Sequence, residues 1–239
     1  MALPICYDRR PRPRPRPRHE GEELLPFLGV QTDYLWDVGA TLTIAFMERN
    51  CAKRLRETLM AHAREWLKHA NLEFRVVSPD ESADIRITFT KDEGYWSYLG
   101  TDALNYSQDE PTMCFEGWTS ATVDDDPEEI RRVVLHEFGH ALGCIHEHES
   151  PVAGIPWDRE AVYRDYAEAP NFWTPDEVDA QLFTRYAESE TNHSAYDPTS
   201  IMQYCVPQEH TFGDFEVGWN STLSQKDKAF IASVYPHKA

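Results

Sequence analysis

Residues 136–148 read HEFGHALGCIHEH, and the spacing of their histidines is the strongest chemical signal in the chain. His136 and His140 are four residues apart, so on a helix both imidazoles leave one face about one turn apart. That separation lets both rings reach a single Zn2+ at about 2.0–2.1 Å. Glu137, next to the first histidine, can approach a water held by the ion without ligating it, as a general base must. Gly143 can adopt the left-handed conformation that ends a helix and turns the chain, swinging His146 back as a third ligand. Three neutral nitrogens leave a fourth position for solvent, the pattern of a catalytic zinc site and not of a closed structural one. The chemistry implied is hydrolysis by zinc-activated water, with Glu137 taking the proton and delivering it to the leaving group. A histidine pair alone is an ordinary feature of helix surfaces, whereas HExxHxxGxxH fixes five positions and includes the glycine where a turn is required.

The helix that must carry this pair has a clear start. Asp126 can cap it, Pro127 suits its first position, and Glu128 and Glu129 place negative charge at the positive end of the dipole. The acidic run Asp124–Glu129 therefore reads as a helix start and not as a calcium site. Ile130, Val133, Val134, Phe138, Ala141 and Leu142 supply an apolar face up to Gly143. Upstream, Ala40–Phe46 reads as a strand, and Cys51–Ala70 has helical spacing with Asn50 as its expected cap. Phe74–Val77, Ile85–Phe89, Trp96–Leu99 and Thr112–Phe115 follow as short strands. Beyond Ile145 the chain is rich in loops, with helices expected at Asp158–Tyr166, Pro175–Arg185 and Ser224–Tyr235. A strand, a helix and then several strands indicate a twisted sheet carrying helices, an α+β or α/β arrangement.

The chain has 239 residues, of which 41% are hydrophobic and 12% aromatic, the composition of a folded globular protein. No apolar run approaches the roughly 18 residues that span a bilayer. Six of the 23 basic residues and one of the 41 acidic ones lie in the first 18 positions, so the remainder carries 17 against 40, a net of −23. A body that acidic repels phosphate backbones, and no nucleic-acid partner is expected. Residues 1–28 read as an arm, extended by alternating Arg-Pro between Arg10 and Arg18, and residues 29–239 as the folded domain. The N-terminus shows no apolar core of a secretory signal. Five cysteines (Cys6, Cys51, Cys114, Cys144, Cys205) include no CxxC pair, which excludes a zinc ribbon and a thioredoxin-type motif.

With the segment Ser200-Ile201-Met202-Gln203-Tyr204, the histidine motif resembles the metzincin zinc metalloproteases and, within them, the astacin family. Glu147 directly after the third histidine and the SIMQY segment, similar to the family's Met-turn, carry the closer likeness. The resemblance implies a metzincin-like α+β fold. Its upper subdomain, about 29–143, would hold a twisted mixed sheet and two long helices; the irregular lower one, about 144–239, would end in a helix, with the cleft between them. It also implies Zn2+ on His136, His140 and His146, with Met202 beneath the histidines. Tyr204 would be a switchable fifth ligand that swings away to stabilise the tetrahedral intermediate. The substrate would be a protein or peptide lying extended along an edge strand, for which Thr112–Phe115 is the best candidate, the alternative being that this segment is interior or unpaired.

Departures from the family pattern are Cys144 in place of Phe, Gln203 in place of the His between Met and Tyr, and no cysteine after Cys205 to form the usual C-terminal disulfide. In astacins the residue matching Glu147 receives the new N-terminus after propeptide removal; this chain begins with Met1 and the basic arm. The family is mostly secreted. Glu209, Asp214 and Glu216 are expected to border the pocket beyond the cleaved bond and to favour basic or neutral side chains. Cys6, in a PICYD segment faintly similar to a cysteine switch, is either a surface thiol or a thiolate for the zinc. Two other functions share the motif: a non-catalytic, zinc-stabilised peptide-binding module, and a zinc hydrolase of a non-protein amide. Intact Glu137 argues against the first, since a structural site needs no base.

Overall fold

The computed structural model describes residues 6, 30–169, 171–185, 191–192 and 195–237. Of the arm, only Cys6 is among them, so the Arg-Pro run lies outside the described residues.

Alternating apolar residues make TLTIAF at Thr41–Phe46 (β2) a strand, and it pairs in parallel with both Glu73–Val76 (β3) and Ile85–Thr88 (β4). Met113–Phe115 (β6) adds to β4 in parallel, and Tyr95–Ser97 (β5) closes the sheet antiparallel to β6, in the order β3-β2-β4-β6-β5. The expected edge at Thr112–Phe115 is thus an interior strand, and β5 is the edge. Met113, Cys114 and Phe115 are all fully buried, as a strand covered on both faces and flanked on both sides must be. Farther out, Val30–Gln31 (β1) pairs antiparallel with Thr191–Asn192 (β7).

Two helices lie against the sheet. The first, Lys53–Ala63 (α1), is shorter than its periodicity suggests. A turn in which Cys51 N donates to Glu48 O at 2.9 Å removes Asn50 from the cap position, which Ala52 takes. At the other end the chain tightens into a 3-10 turn at Trp66–Lys68, where the buried Trp66 donates Nε1–H to Leu135 O at 2.9 Å. After a short turn of helix at Thr122–Asp125 (α2), the second long helix runs Pro127–Ala141 (α3), with Asp126 accepting from Glu129 N at 3.0 Å. Leu59, Trp66, Val134, Leu135 and Phe138 interlock with Leu42, Ile44 and Ile87 of the sheet in one core. Each such side chain contributes about 1.5–3 kcal/mol by burial.

Beyond Gly143 helices are short: Arg159–Tyr166 (α4), Pro175–Val178 (α5), which continues as a π-turn to Phe183, and Gln225–Val234 (α6). The last helix returns to the main core through Phe230, Ile231 and Tyr235. Its N-terminus also grips the SIMQY segment: Asp227 accepts from Ser200 Oγ at 2.7 Å, Ile201 N at 2.9 Å and Ser224 N at 2.8 Å. Burial raises the Asp227 pKa, and these donors pull it back down. Replacing Asp227 by Ala removes both a helix cap and the support of that turn. A loss of at least about 2 kcal/mol in unfolding free energy is expected, measurable by thermal denaturation.

Candidate metal centre

The three histidines are brought together by one helix and one glycine. His136 and His140 leave α3 on the same face, 4% and 3% exposed. Gly143, at φ +97°, ends the helix, and the following turn carries His146, fully buried, back to them. Their Nε2 atoms stand 3.2 Å (136–140), 3.0 Å (140–146) and 3.2 Å (136–146) apart. A carbonyl oxygen can only accept, so the 2.8 Å contacts of His136 Nδ1 with Ile201 O and of His140 Nδ1 with Cys144 O place the protons on Nδ1. The Nε2 lone pairs of these two rings then face one another and the third nitrogen across a buried space. That donor set fits a cation with affinity for imidazole, and zinc above all. Behind the third ring lies a buried carboxylate, Glu149 Oε2, 3.6 Å from His146 Nδ1.

Around the cluster stand Glu137, Tyr204 and, from the arm, Cys6. Cys6 Sγ donates to Glu137 Oε2 at 3.4 Å, and the same sulfur lies within 4.8 Å of the three imidazole nitrogens. Cys6 is therefore not a surface thiol. Its carbonyl accepts from the Tyr204 hydroxyl, and its backbone forms a parallel bridge with Tyr95 on the edge strand β5. Tyr204 is packed between His146 and His148, with ring centroids 4.3 and 4.4 Å away. Burial pushes the Glu137 pKa up to about 8, against the lowering effect of the Cys6 thiol and of Arg132.

Met202 is fully buried against α3, beside Gly139. Its neighbour Ile201 orients His136, and its own carbonyl accepts from Glu147 N at 3.0 Å, fixing the chain just past His146. Glu147 is buried below this turn, where its Oε1 accepts from Asp197 N at 2.6 Å and burial raises its pKa to about 8.

The matrixin family model matches residues 36–154. Two solved structures of myroilysin are similar to this chain. One has 41% identity, a TM-score of 0.83, and coverage of 88% of this chain and 100% of the other. The second has 39% identity, a TM-score of 0.63, and coverage of 91% and 93%. This chain belongs to the metzincin zinc metalloproteases. The high choriolytic enzyme 1 of medaka (Oryzias latipes), a hatching-enzyme zinc protease, shares the fold at 15% identity and a TM-score of 0.55, covering 87% of this chain and 96% of its own. No curated protein matches the sequence.

As a metzincin the chain is a zinc-dependent endopeptidase with a peptide substrate, and its mixed sheet and helices are the α+β fold expected. No helix among the described residues is long and apolar enough to cross a membrane.

The pocket of this metzincin beside Glu137 differs from the sequence expectation. Its walls are Tyr95, Arg132, Val133, Gln203 and Trp219, closed on one side by Cys6; Glu209, Asp214 and Glu216 do not line it. Those three acids are exposed to solvent, and the wall carries the cation Arg132 instead. Arg132 was legible in principle, because it precedes His136 by four residues and so shares its helix face. Trp219 and Tyr95 carried no such signal.

Gly139, between the two helix histidines, has no room for a side chain. A Cβ there would sit 2.3 Å from Met202 Sδ and 3.2 Å from Trp66 Cζ2. Gly139→Ala is expected to displace Met202 and to cost about 1–3 kcal/mol, seen as a fall of several degrees in Tm.

Proposed function

We propose that this metzincin hydrolyses peptide segments laid along β5, with Glu137 as general base, Tyr204 as donor to the scissile carbonyl and Met202 as structural floor. The observation that carries the reading is how the protein holds Cys6. The backbone of Cys6 bridges to the edge strand at Tyr95, its carbonyl meets the Tyr204 hydroxyl and its thiol lies against Glu137 and the histidines. A substrate needs the same three things from the cleft.

His136, His140 and His146 would hold the ion. Bound zinc supplies Lewis acidity, which polarises a carbonyl and lowers the pKa of a water molecule to about 7. Glu137, buried and without a place in the nitrogen cluster, takes the water proton and delivers it to the leaving amine. Tyr204 donates to the oxygen on which charge develops, a contribution of about 3–4 kcal/mol when such a donor is pre-aimed. His146 and His148 clasp its ring, so the hydroxyl reaches the carbonyl without an ordering cost.

The same contacts make the chain latent. Cys6 occupies the space that substrate and solvent need, its thiol facing the open side of the nitrogen cluster and Glu137. In this reading residues 29–239 are the catalytic domain, divided near Gly143, and residues 1–28 are an arm that enters the cleft at Cys6. The −23 body makes nucleic acid an unsuitable partner.

Two substitutions test these roles. Glu137→Gln keeps the shape and the three imidazoles but cannot accept a proton, so zinc content stays at wild-type level while kcat falls at least about 100-fold. Equal turnover in that variant contradicts the assignment of the base. Cys6→Ser weakens the plug, so the full chain is expected to cleave a quenched peptide at least about tenfold faster than wild type. An unchanged rate contradicts latency through Cys6.

A further inference from the structure

The pocket beside Glu137 has apolar and aromatic walls, Val133, Tyr95 and Trp219, and two further polar side chains, Arg132 and Gln203. Arg132 is nearly buried, its guanidinium bidentate to Glu129 at 2.5 and 2.6 Å and covered on one face by Trp219 at 4.1 Å. Its charge is therefore already matched, while its remaining in-plane N–H groups can still donate. Gln203 is 4% exposed. Its Nε2 donates to Tyr204 O at 2.8 Å, which fixes the orientation of the amide, because a flipped amide would set oxygen against oxygen. That leaves Gln203 Oε1 buried with no hydrogen-bond partner among the described residues, an acceptor lacking a donor.

We propose that this pocket selects a carboxamide side chain, asparagine or glutamine, flanking the scissile bond, with Gln203 as the residue that decides. A primary amide satisfies both of these polar side chains at once: its NH2 donates to Gln203 Oε1 and its oxygen accepts from Arg132. A carboxylate of the same shape sets an oxygen against Gln203 Oε1 and gains little from a guanidinium that Glu129 has neutralised. A lysine or arginine meets Arg132 as a like charge. An apolar side chain leaves the buried acceptor without a donor, which binding sites penalise heavily. The proposal rests on the peptidase reading above and names the substrate class of the same cleft. It replaces the basic or neutral preference that the acidic residues after Tyr204 suggested.

The test is cleavage profiling of a proteome-derived peptide library by the zinc-loaded full chain, with Cys6→Ser in every protein so that the plug is weakened. Asn and Gln are expected to be enriched at one of the two positions flanking the cut. In matched peptides their kcat/KM should exceed that of Asp, Glu and Leu at least about fivefold. Gln203→Leu in the same background should shift the preference to Leu and Met, and its zinc content and Tm show that the fold is intact. Enrichment of Asp and Glu would assign the pocket to Arg132 and overturn the proposal, as would an indifferent profile or an amide preference that survives Gln203→Leu. A chain that binds zinc and cuts no peptide overturns the peptidase reading and this proposal together, whereas cutting without an amide preference overturns this proposal alone.

Discussion

Two imidazoles whose Nδ1–H groups are committed to backbone carbonyls have no choice about where their other nitrogens point. His136 and His140 are locked in this way by Ile201 O and Cys144 O, and His146 completes a triangle of nitrogens 3.0–3.2 Å on a side. Lone pairs so close repel one another, and a cation held between them relieves that repulsion. Much of the rest of the structure serves to keep this triangle. The sheet and α1 fix α3, Gly143 returns the chain, and the turn at Met202 supplies one of the locking carbonyls. Asp227 of the last helix holds that turn in place. A residue near the C-terminus thereby sets the direction of a ring on α3.

The cleft combines this cluster with an open sheet edge. β5 is antiparallel to its neighbour and leaves one side of its backbone unpaired by the sheet, which is where an added strand gains its hydrogen bonds. Cys6 uses that edge at Tyr95, and the carbonyl of the same residue reaches Tyr204. In the proposed reading, inhibition and catalysis are alternative uses of the same groups: the edge, the phenol and Glu137 engage whichever segment lies there.

What the sequence made legible was local. Asp126, Pro127 and the apolar face from Ile130 to Leu142 located α3 to within a residue, because capping and helical period are read from neighbours in the chain. The histidine spacing on that helix, the stop at Gly143 and the start of the last helix near Ser224 belong to the same class. Strand order was not legible. Met113–Phe115 looked like an edge until the antiparallel return of Tyr95–Ser97 covered it, a pairing decided by tertiary contacts. The early end of α1 was equally hidden, since it follows from the reach of Trp66 to Leu135, 69 residues away. Cys6 lies 131 positions from Glu137, and no periodicity connects them. The acids after Tyr204 misled for the opposite reason: nearness in sequence to a site residue did not make them neighbours of the pocket.

The most direct test is X-ray absorption at the zinc edge on the purified, zinc-loaded full chain. Convergence of the three rings requires one zinc per chain with three imidazole nitrogens at about 2.0–2.1 Å. A zinc with fewer than three imidazole ligands, or a chain that retains no zinc, would contradict the arrangement from which the rest follows.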